Sequence, residues 1–474
     1  MQKYKYLLKN VGLLTISGFG TKILSFLLIP LYTSVLSTTD YGIYDIYNIT
    51  VSLMIPILTM NIIESVMRFS LDSTNNTKDV FSIGLKRIFI ATLLFSVIVA
   101  INDIFNFIPI LSKYSFYLIL MFLCNLVYEL LSKFCRGLEK ISDVAIAGAL
   151  NSISMILFNI LFLLKFKIGL NGYFLANILS LIIPTLYLII REKIWNYFTK
   201  KSDLMLKKEM FMYSSPLVIN TLSWWINNAS DRLVITMFCG TAINGIYSIA
   251  YKIPSIINVF QTIFSQAWVL SAVKEFKKDN GEFYCKIYKI YNCGMLLICS
   301  ALIVFDKIIA KILFAKDFYI AWKYAPILII SSFFGAISGY LGGIFSAAKK
   351  SKIYAKTTSV GAIVNIILNF LLIKDYGAYG AAIATLVSYI IVWIMRLKET
   401  NKIIKLNINI KLDVICYVLL ILQAIIINII EKKTLLYFLE VIIFMLILGL
   451  NMKNINELVA KIRRRKNNDR VETK

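Results

Sequence analysis

The chain contains no histidine in 474 residues. That removes imidazole, the commonest metal ligand and the usual general base near neutral pH. Its seven cysteines, at 124, 135, 239, 285, 293, 299 and 416, form no Cys-x-x-Cys pair, which argues against structural zinc and against a disulfide framework. There is no GxxxxGK[ST] phosphate loop, no HExxH helix and no Ser-His-Asp set, so the sequence offers no ATP hydrolysis and no catalytic residues. The chain therefore reads as a non-enzyme without cofactor or metal. Nothing in the sequence resembles a cleaved signal peptide. The first apolar run is too long, contains Lys22 and is followed by further runs. No soluble stretch reaches the ~50 residues of a small domain, which confines the protein's work to the bilayer.

What is present is hydrophobic. An apolar content of 59% and a mean hydropathy of +0.75 exceed the ~45–50% of globular chains. Runs of ~20 apolar residues mark spans, and lipid requires them to be helical because the backbone must satisfy its own hydrogen bonds. Fourteen such runs lie near 11–36, 43–68, 84–101, 115–135, 142–165, 171–190, 211–238, 245–270, 287–305, 322–347, 353–373, 378–395, 412–430 and 434–452. They are continuous rather than alternating, which excludes a β-barrel.

The net charge of +25 suggests nucleic acid, but its placement argues otherwise. Most Lys and Arg fall at the termini and in the even-numbered loops, which puts both termini in the cytoplasm. The basic cytoplasmic loops and residues 461–466, Lys-Ile-Arg-Arg-Arg-Lys, are expected to meet anionic headgroups. The longest outward loop, Asp306 to Ala321, alternates Lys307, Lys311 and Lys316 with apolar residues and reads as an amphipathic interfacial segment.

The two halves repeat. Gly42-Ile43-Tyr44 opens the second span and Gly245-Ile246-Tyr247 the eighth. Gly169, Gly172 and Ala176 start the sixth, and Gly377, Gly380 and Ala384 start the twelfth at the same spacing. An even number of spans per copy gives both copies the same orientation. The expected architecture is an all-α polytopic membrane protein of about 14 transmembrane helices. Two parallel six-helix repeats, 1–200 and 205–400, are related by a pseudo-two-fold along the membrane normal. Two more helices lie in 411–452, and 453–474 is a basic cytoplasmic tail. Pro30, Pro56, Pro216 and Pro254 fall in spans 1, 2, 7 and 8, and Pro184 in span 6; each favours a kink.

Ionisable side chains within spans cost about 2.5–3.5 kcal/mol on insertion scales, so each needs a reason. Lys22 is near the middle of span 1, on one face with Thr15, Gly18 and Ser25. Span 2 carries Asp45, Asn48, Ser52, Pro56 and Thr59 on one face. Span 7 carries Asn220, Trp224, Asn227 and Asp231 on a stripe, with Arg232 adjacent, and span 8 carries Lys252, Ser255, Thr262 and Gln266. Spans 3, 9, 13 and 14 hold almost no charge. These four polar faces suggest a hydrated cavity between spans 1, 2, 7 and 8, made cationic by Lys22, Arg232 and Lys252 and suited to a phosphate or diphosphate. The duller readings are that Lys252 snorkels to the interface and that Arg232 pairs with Asp231 or Asp45 for packing. Glu64 with Arg68, and Glu129 with Lys133, are i,i+4 pairs suited to structural or gating contacts.

Several stretches resemble the polysaccharide-export branch of the MOP flippase superfamily, which also holds the MurJ lipid II flippases and the MATE drug exporters. They are Lys9-Asn10, Ile29-Pro30-Leu31-Tyr32-Thr33, Leu36 to Tyr44, Asn228 to Leu233, Gly245 to Ile253, and Phe264-Ser265-Gln266-Ala267-Trp268. The resemblance implies a flippase that moves an undecaprenyl-diphosphate-linked oligosaccharide across a bacterial cytoplasmic membrane by alternating access, in cell-surface polysaccharide biosynthesis, with a polysaccharide polymerase as a partner. It assigns cavity cations to Lys22 and Lys252 and the span-7 Asp-Arg pair to Asp231 and Arg232. The MurJ pattern has several cavity arginines where this chain has one, which sets lipid II apart as a substrate. Coupling to Na+ or H+ stays open. No sodium-ligand set stands out beyond Asp231, Asn365 and Asn369. Multidrug export is opposed by the cationic interior and by the lack of an acidic residue at mid-depth in span 1. A membrane polymerase or glycosyltransferase is opposed by the short outward loops.

Overall fold

A computed structural model of the chain describes residues 26–72, 74–199, 203–276, 281–454 and 456. Among these the regular structure is helical, and eleven helices are long and apolar enough to cross a membrane. Two of the eleven are double. Leu204–Ala250 is divided by a kink at Gly240, with φ 85° and ψ 172°. Ser351–Asn401 is divided at Gly377, with φ 55° and ψ −136°. Both conformations are costly for any residue with a Cβ, so glycine is required there. Gly169, which shares its sequence spacing with Gly377, has the same φ of 55°. The chain is thus an all-α polytopic membrane protein. Of the first expected span only the end is described, as the helix Ile29–Val35.

Two spans expected to be continuous are broken. The 43–68 run forms Thr38–Thr59 and Ile62–Ser70, separated by Met60 and Asn61, both left-handed with φ 55° and 54°. Pro56 lies inside the first piece without ending it, so the break comes four residues later than proline chemistry suggests. The 245–270 run is interrupted by a turn at Tyr251–Pro254 before the helix Ser255–Phe276. Here proline does mark the break, because it has no N–H to continue the ladder. Ser37 and Asp40 close a capping box on Thr38–Thr59: the Asp40 N–H donates to Ser37 Oγ at 3.0 Å, and the Ser37 N–H to Asp40 Oδ2 at 3.4 Å. The 306–321 loop forms a helix, Asp306–Leu313, followed by a 3-10 segment, Lys316–Lys323.

The chain forms two compact units. The first takes residues up to Leu233 with Thr241–Gly245, and the second takes Val234–Gly240 and everything from Ile246 onward. The stretch 204–233, expected at the start of the second repeat, belongs to the first unit. In the second unit Ala325–Ala347 is the central helix, mostly buried. In contrast, Thr77–Phe105 in the first unit and Lys433–Leu450 in the second leave most of their apolar surface outward, as helices facing lipid do.

Candidate functional site

In the first unit, Thr38–Thr59 and its continuation Ile62–Ser70 run antiparallel to residues 204–233, joined along their length by polar contacts. Arg232 Nη1 lies 3.0 Å from Asp45 Oδ1. Trp225 Nε1 donates to Ser52 Oγ at 3.0 Å and to the Ile49 carbonyl at 3.2 Å. Asn61 Nδ2 donates to Thr221 Oγ1 at 2.9 Å, and Ser65 Oγ to the Met210 carbonyl at 2.6 Å. As residue numbers rise on one helix they fall on the other. Inside a bilayer each such bond satisfies a group that lipid cannot, so this seam is specific as well as cohesive.

The ion pair is the seam's electrostatic centre. Asp45 is 9% and Arg232 18% side-chain exposed, so both charges have left most of their water and depend on each other. Asn244 reaches the other carboxylate oxygen, Asp45 Oδ2, at 3.3 Å and also donates to the Gly42 carbonyl at 3.3 Å. Asp231 is buried, and its Oδ1 accepts the Arg232 backbone N–H at 2.9 Å.

Beside the pair the backbones touch. A Cβ at Gly42 would run into the Thr241 carbonyl oxygen, and a Cβ at Gly245 into the Thr38 carbonyl oxygen. The contact is reciprocal: Thr38 and Gly42 meet Thr241 and Gly245, and each residue is offset from its counterpart by the same distance in sequence. The glycines of the duplicated Gly-Ile-Tyr motif are therefore there to let two helix ends approach within side-chain-free distance.

The other residues singled out in the sequence are placed as follows. Lys22 lies outside the described residues. Asn48 and Asn220 are exposed, Trp224 is half-buried, and Asn227 is buried with its amide on the Ser223 carbonyl at 2.8 Å. Lys252 sits in the turn that breaks span 8, in the second unit, and its carbonyl accepts Ser255 Oγ at 2.6 Å. Gln266 lies on the Ser255–Phe276 helix; its side chain is outside the described set. Lys133 does not pair along its own helix but across to Glu64, at 2.6 Å. Glu129 is within the electrostatic reach of Lys133, Glu64 and Arg136, and Arg68 points outward. Helix spacing makes i,i+4 pairing possible; tertiary packing brought a better partner. Because Lys133 and Glu64 keep 21% and 38% of their side-chain exposure, the pair contributes modestly. A Glu64→Gln, Lys133→Gln double-mutant cycle is expected to give a coupling of about 0.2–1 kcal/mol.

Three groups went unnoticed in the sequence. Asn244, one residue before the repeated glycine, has no signature of its own. Trp225, next to Trp224 of the polar stripe, carries none that marks it as a donor to Ser52. In the second unit Arg396 is 2% exposed. It donates to Thr357 Oγ1, Thr358 Oγ1 and the Ser338 carbonyl at 2.8–3.1 Å, and lies 4.3 Å from the Tyr354 ring centroid. The second unit also holds a buried amide chain, Asn369 Nδ2 to Asn365 Oδ1 at 3.0 Å and Asn365 Nδ2 to Thr385 Oγ1 at 3.3 Å.

Broken helices, glycine-mediated close packing and a buried ion pair on a polar seam define a polytopic helical membrane protein with its polar chemistry inside the bilayer-spanning segments. The profile of the polysaccharide biosynthesis protein family matches residues 7–269, more than half of the chain, and the chain belongs to that family. It is 26% identical over 198 residues to the probable low-salt glycan biosynthesis flippase Agl15 of Haloferax volcanii, covering 40% of this chain and 41% of that protein. It is 27% identical over 252 residues to the capsular polysaccharide biosynthesis protein CapF of Staphylococcus aureus, covering 51% and 62%. The chain thus spans less than two thirds of the length of the curated relatives it matches. Its fold is similar to that of the lipid II flippase MurJ in an inward closed conformation, with a TM-score of 0.70 at 15% identity, covering 94% of this chain and 99% of that one.

Proposed function

We propose that this protein is a flippase that carries an oligosaccharide linked to undecaprenyl diphosphate across the cytoplasmic membrane of a bacterium by alternating access, for cell-surface polysaccharide assembly. Family membership supports the process. The observation that carries the substrate chemistry is the Asp45–Arg232 pair. A guanidinium is a planar fork that binds phosphate oxygens bidentately, and here it is held ready by a carboxylate that a diphosphate, with more charge, can displace. Asp45 also holds Asn244, next to Gly245. Drawing Arg232 away would therefore disturb the hold on the glycine contact and couple binding to helix separation.

Lys22 and Lys252 are proposed as further contacts with the diphosphate, and polar side chains such as Asn48, Asn220 and Trp224 as contacts with sugars. Both termini are proposed to be cytoplasmic, with the basic loops and tail on anionic lipid and a polysaccharide polymerase taking the product. The cycle draws on an ion gradient, the membrane potential or the substrate gradient.

The test is leaflet accessibility of diphosphate-linked glycan in cells depleted of this protein. Inward-facing intermediates are expected to accumulate while surface glycan falls, and their mass identifies the cargo. Lys22→Gln with Lys252→Gln is expected to abolish export at unchanged protein level, and full activity in that double variant would overturn the assignment of those lysines. Normal surface glycan combined with altered resistance to amphiphilic cations would favour multidrug export.

A further inference from the structure

The second unit contains two acidic side chains that the reading above does not use. Asp306 starts the helix Asp306–Leu313, and Glu440 lies in the middle of Lys433–Leu450. Both residues are 0% exposed. All four of their carboxyl oxygens are buried and none meets a donor in good hydrogen-bond geometry, although the Gln423 amide comes close to the Glu440 carboxyl. A polar chain leads to this place: Ser300 Oγ donates to Gln423 Oε1 at 2.8 Å, and Gln423 Nε2 to the Glu440 backbone carbonyl at 3.4 Å.

Two carboxylates in this setting would be untenable. A buried ionised carboxyl without donors costs several kcal/mol, and a second like charge within reach adds to it. Asp306 and Glu440 do feel each other: burial holds the Asp306 carboxyl well above the usual carboxylate range, and Glu440 pushes it the same way. Lys307 opposes this at Asp306 and is within electrostatic reach of Glu440 as well, but its ammonium lies 4.1 Å from the Trp322 ring centroid and gives neither carboxyl a hydrogen bond. The other ionisable groups in electrostatic reach are Glu431 and Lys323, which act on Lys307, and Tyr437, on which Asp306 acts. Tyr319 acts in turn on Tyr437. None of them gives either carboxyl a hydrogen bond. A metal ion is a poor fit. A hard cation asks for about six oxygen ligands, no group of three or more His, Cys, Asp or Glu suited to a metal occurs among the described residues, and the Gln423 oxygen already serves Ser300.

We propose that Asp306 and Glu440 form a proton-binding site within the second unit, in which each carboxyl carries its proton in the conformation described and releases it to water when the site opens. Each step is one O–H bond broken, leaving a carboxylate and a hydrated proton. This inference does not depend on the substrate assigned above, and none of the residues proposed for substrate belongs to it.

The sign of the pH effect follows. A carboxyl that is neutral when folded and ionised when unfolded makes the folded state bind more protons, so stability is lost as pH rises above the ordinary carboxyl range near 4. The experiment is thermal unfolding of the full chain in nanodiscs across about pH 5 to about pH 9, in choline chloride and again with sodium chloride. The wild-type midpoint is expected to fall as pH rises. Asp306→Asn and Glu440→Gln should each remove part of that slope, the double variant most of it, and sodium should leave the midpoints unchanged. Equal slopes in all four proteins would overturn the proposal, and so would a sodium-dependent rise of the wild-type midpoint, which would mark a metal site. Infrared spectroscopy of the wild type needs no variant to fold: a protonated-carboxyl stretch at neutral pH that shifts in deuterated buffer is expected, and its absence refutes the site.

Discussion

Asp45→Asn is expected to destabilise the folded protein by about 3 kcal/mol, Arg232→Gln by a similar amount, and the two together by clearly less than the sum. The asymmetry comes from burial. With Asp45 at 9% and Arg232 at 18% side-chain exposure, removing one partner leaves the other ion desolvated and unanswered, whereas removing both leaves a polar but neutral seam. Unfolding of the four proteins in a double-mutant cycle measures the coupling. Arg232→Lys separates charge from geometry, since lysine keeps the charge but loses the fork that meets a carboxylate or a diphosphate side-on. The lysine variant should recover most of the stability and only part of the transport. If it recovered transport in full, bidentate recognition of the diphosphate would be wrong.

Gly42→Ala and Gly245→Ala are expected to lose at least about tenfold in transport, without a comparable loss in protein level. An added Cβ at either position overlaps a main-chain carbonyl oxygen, at Thr241 or at Thr38, and no rotamer change can relieve a clash between a Cβ and backbone. Overpacking of this kind costs about 1–3 kcal/mol. Because the clash exists only while the two helix ends touch, the cost falls on that conformation and shifts the population by about one to two powers of ten. Cross-linking of Thr38→Cys with Thr241→Cys, in a background with the seven native cysteines replaced, reports the contact directly. Its yield should drop sharply when Gly42→Ala is added. Unchanged yield and unchanged transport together would show that the approach is incidental.

The sequence is informative about what is periodic and local. Long apolar runs place the helices because lipid leaves the backbone no other partner, and the paired Gly-Ile-Tyr motifs are visible as a repeat. It is less informative about where helices break. Pro254 marks one break, but Pro56 lies inside an intact helix, and Met60 and Asn61 reverse into left-handed geometry without a glycine or proline to announce it. Charge partners are less legible still. Asp45 appears among two candidates for Arg232, while Glu64 takes Lys133 from another helix in place of either i,i+4 pairing. Asp306 reads as the start of an interfacial loop and Glu440 as a lone acid in an apolar span, and nothing in their spacing joins them.

By itself the sequence determined that this chain is a helical membrane protein built on a duplicated motif, without histidine chemistry, and carrying a few charged residues that must be accounted for inside its spans. Hydropathy and residue type suffice for that, because the solvent selects the secondary structure. Which acid answers Arg232, which helix ends touch, and which carboxyls are left buried without a well-placed donor were decided only by the tertiary structure. Those contacts join residues as far apart as Thr38 and Gly245, and nothing local in a sequence announces which of them will meet.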